Sequence, residues 1–151
     1  MNSIYSNTSV SPEFVSRLRT MPKVELHVHL EGATDAATVW ELARRNHVTL
    51  PAPSLEAWRS MYSFRDFDHF IDIYLLVVGC IQTPDDFAIM TERFLERQAE
   101  HNVKYCEAFI SASLIQDKFP KGEVINALEA SFLSEEAKAI YKIFDFGGKI
   151  V

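Results

Sequence analysis

"MPKVELHVHLEGA", residues 21–33, carries two histidines one residue apart near the end of a run that alternates like a β-strand. The alternation predicts that the valines and the leucine of the run face a core, and that His27 and His29 share the opposite face. Two imidazoles on one face of a strand can reach the same divalent ion. The spacing therefore indicates a candidate metal site, and an H-x-H pair on an exposed strand face without metal is the alternative.

Glu31 follows His29 by two residues, at the carboxyl end of the predicted strand. This is the end at which α/β proteins place their functional sites. A carboxylate there could bind a substrate hydroxyl or support the metal ligands. The spacing alone favours a third interpretation, a solvated loop glutamate.

The composition is that of one globular domain. The chain has 151 residues, 48% of them hydrophobic, and a formal net charge of −6. This charge argues against a nucleic acid or an anionic membrane as partner. The longest apolar run, residues 73–81, is too short to span a bilayer. The N-terminus has neither the basic start nor the apolar core of a signal peptide, so a cytoplasmic location is expected. Cys80 and Cys106 are predicted to be reduced core thiols, with a disulfide as the alternative.

Helix signals are clear at several positions. Ser11 before Pro12 and Thr83 before Pro84 are typical helix starts. A further helix is predicted within residues 35–46, and the chain from residue 121 is also predicted to be helical until "FGGKIV", residues 146–151, ends the helix. One more helix is predicted from an apolar stripe at steps of three and four, formed by Phe67, Phe70, Ile71, Tyr74, Leu75 and Val78.

"VKYCEAFIS", residues 103–111, predicts a second strand that is covered on both faces. The element order is helix, strand, three helices, strand, helix. Two strands separated by helices predict parallel pairing through right-handed crossovers, which is an α/β fold. Two strands are too few for a complete sheet of this kind.

Residues 21–33 closely resemble the N-terminal metal motif of the adenosine deaminase family. Weaker resemblances follow in "ELARRNHVTLP", in "FRDFDHFIDIYLLVVGCIQTPDDF" and in "VKYCEAFISAS". In the last of these, Tyr105, Glu107 and Ser111 match the family pattern, whereas Ala112 stands where proline is usual. The resemblance covers about residues 12–125. It implies the N-terminal part of a (β/α)8 TIM barrel, incomplete, with two barrel strands plus helices.

The resemblance also implies a zinc-dependent deaminase with one Zn²⁺ ion. In this family a metal-bound hydroxide attacks C6 of adenosine, or of a related purine nucleoside, and releases inosine and ammonia. His27 and His29 would be metal ligands. His29, Glu31, Phe67 and Phe70 would contact the substrate, with Glu31 on the ribose 5′-hydroxyl and the two phenylalanines on a hydrophobic gate. Packing in a helix core is the alternative for both phenylalanines.

The family's remaining ligands lie in H-A-G-E and S-L-N-T-D-D-P motifs, neither of which occurs in this sequence. No catalytic residue is therefore expected in this chain, and we expect it to be inactive by itself. A non-catalytic product that acts through protein–protein contacts is the alternative, with self-association through an exposed strand edge. Another branch of the metal-hydrolase superfamily is a third reading, disfavoured by the Glu-Gly after the histidines.

The domain organisation expected from the resemblance is a single incomplete domain over residues 1–151. Residues 12–128 resemble the N-terminal barrel segment of the family, and residues 129–151 resemble its C-terminal helix. This arrangement suggests an internal deletion that joins the two near residues 126–131.

Overall fold

The computed structural model describes residues 10–111, 118–119, 122–124, 126–127 and 141–144. Its sheet has three parallel strands, β1 (Lys23–His29), β2 (Val103–Phe109) and β3 (Tyr141–Phe144), in the order β1-β2-β3. The predicted parallel pairing of the first two strands is confirmed. Parallel neighbours need a crossover, and the helices between β1 and β2 supply it.

At both predicted helix starts, a side-chain oxygen accepts from a backbone N–H group that has no partner within the helix. Ser11 Oγ accepts from the N–H of Phe14 at 3.2 Å, and the Asp86 carboxylate accepts from the N–H of Thr83 at 2.8 Å. Both predicted helix starts are confirmed. Between residues 10 and 111 the helices are α1 (Pro12–Thr20), α2 (Leu30–Ala33), α3 (Ala36–Arg45), α4 (Leu55–Met61), α5 (Phe67–Cys80) and α6 (Pro84–Glu100).

The core lies among helices α2 to α6 and strand β2. Its largest fully buried apolar side chains are Trp58, Phe87, Leu30, Leu42, Ile81, Met90 and Val39. Cys80 and Cys106 are buried and free, which confirms the prediction of core thiols. In the part of the chain that the structure describes, no helix has the length and apolar character needed to cross a membrane.

The stripe predicted for α5 is only partly correct, because Val78 is buried and Phe70, Ile71 and Tyr74 are half-buried, whereas Phe67 and Leu75 are exposed. The buried face of this helix carries Ile73, Val77, Val78 and Cys80, whereas Phe67 is 71% exposed and Leu75 is 49% exposed. The sequence of α5 is apolar on most sides, so spacing in threes and fours can be traced on more than one face. Only the packing against α2 and α3 selects the face that becomes buried.

The buried face predicted for β1 is wrong at Val24 and Leu26, whereas Val28 is half-buried and packs against the core. Val24 is 65% exposed and Leu26 is 59% exposed. β1 is the end strand of the described sheet and pairs with β2 on one side only, while the core lies towards α3, α5 and α6. Among the described residues, these two side chains therefore remain accessible to solvent.

β3 corrects the prediction of helix at the end of the chain. Residues 122–124 and 126–127 are helical, as expected, but Tyr141–Phe144 form a strand parallel to β2. Aromatic and β-branched residues make up three of its four positions, and such residues favour strands. The helix predicted there is wrong. Residues 129–140 and 145–151, which also belong to the expected C-terminal helix, lie outside the described residues.

Candidate metal centre

A β-bulge shapes the strand that carries the two histidines. Glu25 pairs with Cys106 and Val28 pairs with Ala108, so β1 uses three steps where β2 uses two. The extra residue is accommodated at His27, whose φ of 61° lies in the left-handed region. Histidine tolerates this region better than most residues, although it is still uncommon there. Bulges re-aim side chains next to functional sites.

The two imidazoles come together as predicted, but through this bulge and not through regular pleating. Their ring centroids are 5.6 Å apart, with the rings close to perpendicular. The ring of Phe109 packs 4.6 Å from that of His27. Both histidines line an open cleft of about 540 Å³, together with Glu25, Val28, Gly32, Ala33, Phe70, Ile71 and Tyr74.

His29 is held by the end of the neighbouring strand. Its Nδ1 lies 3.1 Å from Oγ of Ser111, two residues after the end of β2. Metal-binding histidines commonly use their second ring nitrogen in this way, which fixes the orientation of the ring. The contact leaves Nε2 of His29 as the nitrogen available to a ligand.

Glu31 is completely buried, so its interpretation as a solvated loop glutamate is wrong. Its Oε1 accepts from the backbone N–H of Ser111 at 2.8 Å, and its Oε2 accepts from the Tyr74 hydroxyl at 3.5 Å. The Tyr74 hydroxyl also forms a very short hydrogen bond with Ser111 Oγ. Both carboxylate oxygens of Glu31 therefore have hydrogen-bond donors within the protein.

Burial dominates the electrostatics of this network. Desolvation raises the pKa of Glu31 above its ordinary value, and the hydrogen bonds from Ser111 and Tyr74 oppose that rise. Burial, followed by the nearby Glu31 carboxyl, raises the pKa of Tyr74 to about 12. Tyr74 therefore keeps its proton at neutral pH and is available as a hydrogen-bond donor.

The donor set fits part of a zinc site. Two imidazoles bound to one zinc ion at ordinary bond lengths have ring centroids roughly 5 Å apart, close to the 5.6 Å between His27 and His29. Within the described ranges, no group of three or more His, Cys, Asp or Glu residues could hold a metal ion. Catalytic zinc sites use three protein ligands, so these residues fit two positions and leave at least one to be supplied.

The remaining histidines lie away from this cleft. His69 Nδ1 accepts from the backbone N–H of Arg65 at 3.3 Å in the first turn of α5. His101 caps the carboxyl end of α6, and its carbonyl accepts from Nζ of Lys23 at 2.8 Å. His47 follows the end of α3. None of the three lines the cleft that holds His27 and His29.

The two predicted gate residues occupy different positions. Phe70 is half-buried and lines the cleft, with its ring 6.0 Å from that of Tyr74. Phe67 stands at the start of α5, mostly exposed, with its ring 6.1 Å from Phe70. Core packing is therefore wrong for Phe67.

Tyr74 and Ser111 belong to the site but were not among the predicted site residues, and the prediction placed Tyr74 in the apolar stripe of α5. A buried tyrosine needs a partner for its hydroxyl, and this requirement was the one available signal.

Comparison with known proteins places these features in context. The family model described as "Adenosine deaminase" matches residues 22–140. An adenine deaminase of Cupriavidus pinatubonensis is 32% identical over 144 residues, which cover 95% of this chain and 40% of the relative.

Two solved structures share the fold. The adenine deaminase of Arthrobacter aurescens superimposes with a TM-score of 0.66 at 28% identity, over 81% of this chain and 38% of that one. An amidohydrolase of Burkholderia ambifaria, solved with bound Zn, gives a TM-score of 0.73 at 21% identity, over 93% of this chain and 39% of that one. The fold is that of an incomplete (β/α)8 barrel, as predicted, and the chain spans about 40% of the length of these relatives. The chain belongs to the adenosine deaminase family.

Proposed function

We propose that this chain contributes the H-x-H half of a zinc centre in a hydrolytic purine deaminase. The observation that carries the proposal is the pair of imidazoles 5.6 Å apart in one cleft, with His29 held through Nδ1 by Ser111. His27 and His29 would hold the ion. A zinc ion in such a site lowers the pKa of a water molecule and supplies the nucleophile for hydrolysis at the purine amine.

The other residues of the cleft bind and orient the substrate. Phe70, Ile71 and Tyr74 form an apolar wall beside the histidines. A planar purine ring packs well on aromatic and aliphatic side chains of this kind. Phe67 extends this wall at the start of α5, where it can cover the bound ring.

The substrate that we propose is adenine, with adenosine as the alternative. The resemblance implied that Glu31 binds the ribose 5′-hydroxyl of a nucleoside. Glu31 is completely buried and both of its oxygens accept from Ser111 and Tyr74, which supports a substrate that needs no contact between Glu31 and a ribose hydroxyl. The relative from Cupriavidus pinatubonensis and the structure from Arthrobacter aurescens are both described as adenine deaminases, which supports the free base.

The chain supplies no proton-transfer group in this proposal, and we infer that by itself it does not turn over substrate. Two imidazoles hold zinc weakly, since catalytic sites normally use three protein ligands. A second candidate function is therefore binding to another protein. It is favoured by the exposed Val24 and Leu26 on an end strand, since strand edges with apolar side chains readily pair with other chains.

The first test measures zinc binding by the purified full chain with calorimetry. The second test offers adenine and adenosine separately to the chain and detects deamination by absorbance. We expect zinc binding to be lost in His27→Gln and in His29→Gln, and to be retained in the control His101→Gln. Zinc binding that survives both cleft substitutions would refute the proposed site. Deamination by the chain alone would refute its inactivity, and in that case the preferred substrate would decide between adenine and adenosine.

A further inference from the structure

Three separate elements converge on the buried carboxylate of Glu31. Glu31 lies in α2, Tyr74 lies in α5 and Ser111 follows β2. The backbone N–H of Ser111 donates to one carboxylate oxygen at 2.8 Å and the Tyr74 hydroxyl donates to the other at 3.5 Å. Glu31 therefore accepts on both oxygens.

A carboxylate can only accept, and its negative charge favours donation of the single Tyr74 hydroxyl proton to Glu31. This preference gives one direction for the hydrogen bonds that follow. In its short contact with Ser111 Oγ, the Tyr74 oxygen must then be the acceptor and the Ser111 hydroxyl the donor. The single hydroxyl proton of Ser111 is thereby used. Ser111 Oγ can only accept from Nδ1 of His29, which lies 3.1 Å away.

We propose that Glu31 and Tyr74, acting through Ser111, are positioning residues that hold neutral His29 in the tautomer with its proton on Nδ1. The lone pair is then on Nε2, the nitrogen that remains free to bind a metal. We call the chain of hydrogen bonds from Glu31 through Tyr74 and Ser111 to His29 the relay. Bulk water does not compete for the hydrogen bonds to Glu31, because Glu31 has no exposed surface. The tautomer is a property of the chain itself, and only its use in binding zinc rests on the proposed function.

The substitution Glu31→Gln tests the direction of the relay. Glutamine would place its carbonyl oxygen towards the N–H of Ser111 and its NH₂ group towards Tyr74, because only an oxygen can accept from Ser111. Tyr74 would then donate to Ser111, and Ser111 would donate to Nδ1 of His29. The proton of His29 is expected to move to Nε2, although Glu31 itself does not touch the imidazole.

The measurement is nitrogen-15 NMR of the histidine rings in the labelled full chain without metal, at mildly alkaline pH where imidazoles are neutral. The native His29 is expected to show its proton on Nδ1, and Glu31→Gln is expected to show it on Nε2. Ser111→Ala should remove the preference of His29 for one tautomer. Ser111→Thr, which keeps a hydroxyl, should retain the native tautomer. The other histidines serve as internal references, since a general loss of structure would alter them as well.

Tyr74→Phe has a matched control in Tyr62→Phe. The Tyr62 hydroxyl is buried and has no hydrogen-bond partner among the described residues, so its removal leaves the hydrogen bonds to Glu31 and Ser111 intact. Tyr74→Phe breaks the relay and should remove the preference of His29 for one tautomer, whereas Tyr62→Phe should not.

In a titration with zinc alone, Glu31→Gln is expected to weaken zinc binding by about 10- to 100-fold, as loss of the groups that orient a metal ligand usually does.

The outcomes separate the two proposals. A native His29 with its proton on Nε2, or an unchanged tautomer in Glu31→Gln, would overturn the positioning role whatever the zinc titration shows. The expected tautomers without any zinc binding would uphold the positioning role and overturn the proposed metal centre. If Glu31→Gln fails to fold, the native tautomer and the Ser111 and Tyr74 variants still decide the question.

Discussion

The imidazole of His27 lies 5.6 Å from that of His29, and the backbone of His27 adopts a φ of 61° within a bulge of β1. The bulge and the proximity of the rings belong together, because the extra residue in β1 changes the direction in which His27 projects. A left-handed conformation costs an L-residue roughly 1–2 kcal/mol. The strand is therefore less stable at this position than a regular pleat would be.

Replacing His27 by glycine or by alanine should measure that cost. Both substitutions remove the imidazole, but glycine adopts positive φ without a steric penalty. We expect His27→Gly to have a free energy of unfolding about 1 kcal/mol higher than His27→Ala. Urea denaturation followed by circular dichroism provides the measurement.

Leu26 is the matched control, since it is exposed and adjacent, and its φ is not positive. There the order should reverse, with Leu26→Ala more stable than Leu26→Gly by about 0.5–1 kcal/mol. Equal effects of glycine and alanine at both positions would contradict the bulge.

Glu31 should make the stability of the chain depend on pH. Burial raises the pKa of its carboxyl above the ordinary value of 4.5, so the native state binds this proton more tightly than the unfolded state. Its stabilising contribution is complete below pH 4.5 and is lost as the pH rises through the native pKa. Glutamine does not titrate. The free energy of unfolding of Glu31→Gln relative to the native chain should therefore increase from pH 4.5 towards neutral pH, and urea titrations at several pH values would detect it. A difference that stays constant over this range would contradict the prediction.

Asp35 joins two helices through one carboxylate. It accepts from the N–H groups of Ala37 and Thr38 at 2.8 and 2.9 Å, and it pairs with Arg97 of α6 at 3.0 Å. Asp35→Ala removes the cap of α3 and this pairing, and should lower the free energy of unfolding by about 2 kcal/mol. Asp35→Asn keeps the cap and should cost less.

Asp72 is an exposed aspartate within α5 and is the control for Asp35. Its replacement by alanine should change the free energy of unfolding by less than about 0.5 kcal/mol, as is usual for surface positions. Thermal and urea unfolding of the three variants would provide the comparison. Similar losses for Asp35→Ala and Asp72→Ala would exclude a special role for Asp35.

The two thiols should be unreactive in the folded chain. Burial raises the pKa of Cys80 to about 11 and that of Cys106 to about 12, with nearby carboxylates adding to each shift. The thiolate is the reactive form, so little of it exists at neutral pH. An aromatic disulfide reagent should label neither cysteine in native buffer and both in denaturant. Rapid labelling of either thiol in native buffer would show that its burial is incomplete.

Local sequence patterns predicted the parts of the fold that local chemistry determines. Ser11 and Thr83 mark helix starts because capping involves residues three positions apart or fewer. The pairing of β1 with β2 was also predictable, because strands separated by helices in an α/β chain run parallel.

The errors arose where distant residues decide the outcome. The face of α5 that becomes buried depends on α2 and α3, so Phe67 and Leu75 were placed on the wrong side. The bulge at His27 depends on the register with β2, which no pattern within β1 contains. The local spacing predicts a solvated loop glutamate at position 31 because the partners that bury it, Tyr74 and Ser111, lie 43 and 80 positions away in the sequence.

Phe67 separates a role in binding from a role in stability. It is 71% exposed at the start of α5, whereas Ile73 in the same helix is 2% exposed. Phe67→Ala should change the free energy of unfolding by less than about 0.5 kcal/mol, while Ile73→Ala should lower it by about 2–4 kcal/mol. If Phe67 covers the purine, Phe67→Ala should nevertheless weaken the binding of adenine to the zinc-loaded chain, measured by ligand-observed NMR.

Phe14 of α1 is the control for that measurement, because it is another exposed phenylalanine and does not line the histidine cleft. Phe14→Ala should leave adenine binding unchanged. Equal adenine binding by the Phe67 and Phe14 variants would show that Phe67 does not contact the ligand. Phe70 would then be the aromatic side chain of the cleft wall nearest the start of α5. Weaker adenine binding in Phe67→Ala but not in Phe14→Ala, without a loss of stability, would show that the exposed side chain of Phe67 contacts the bound ligand.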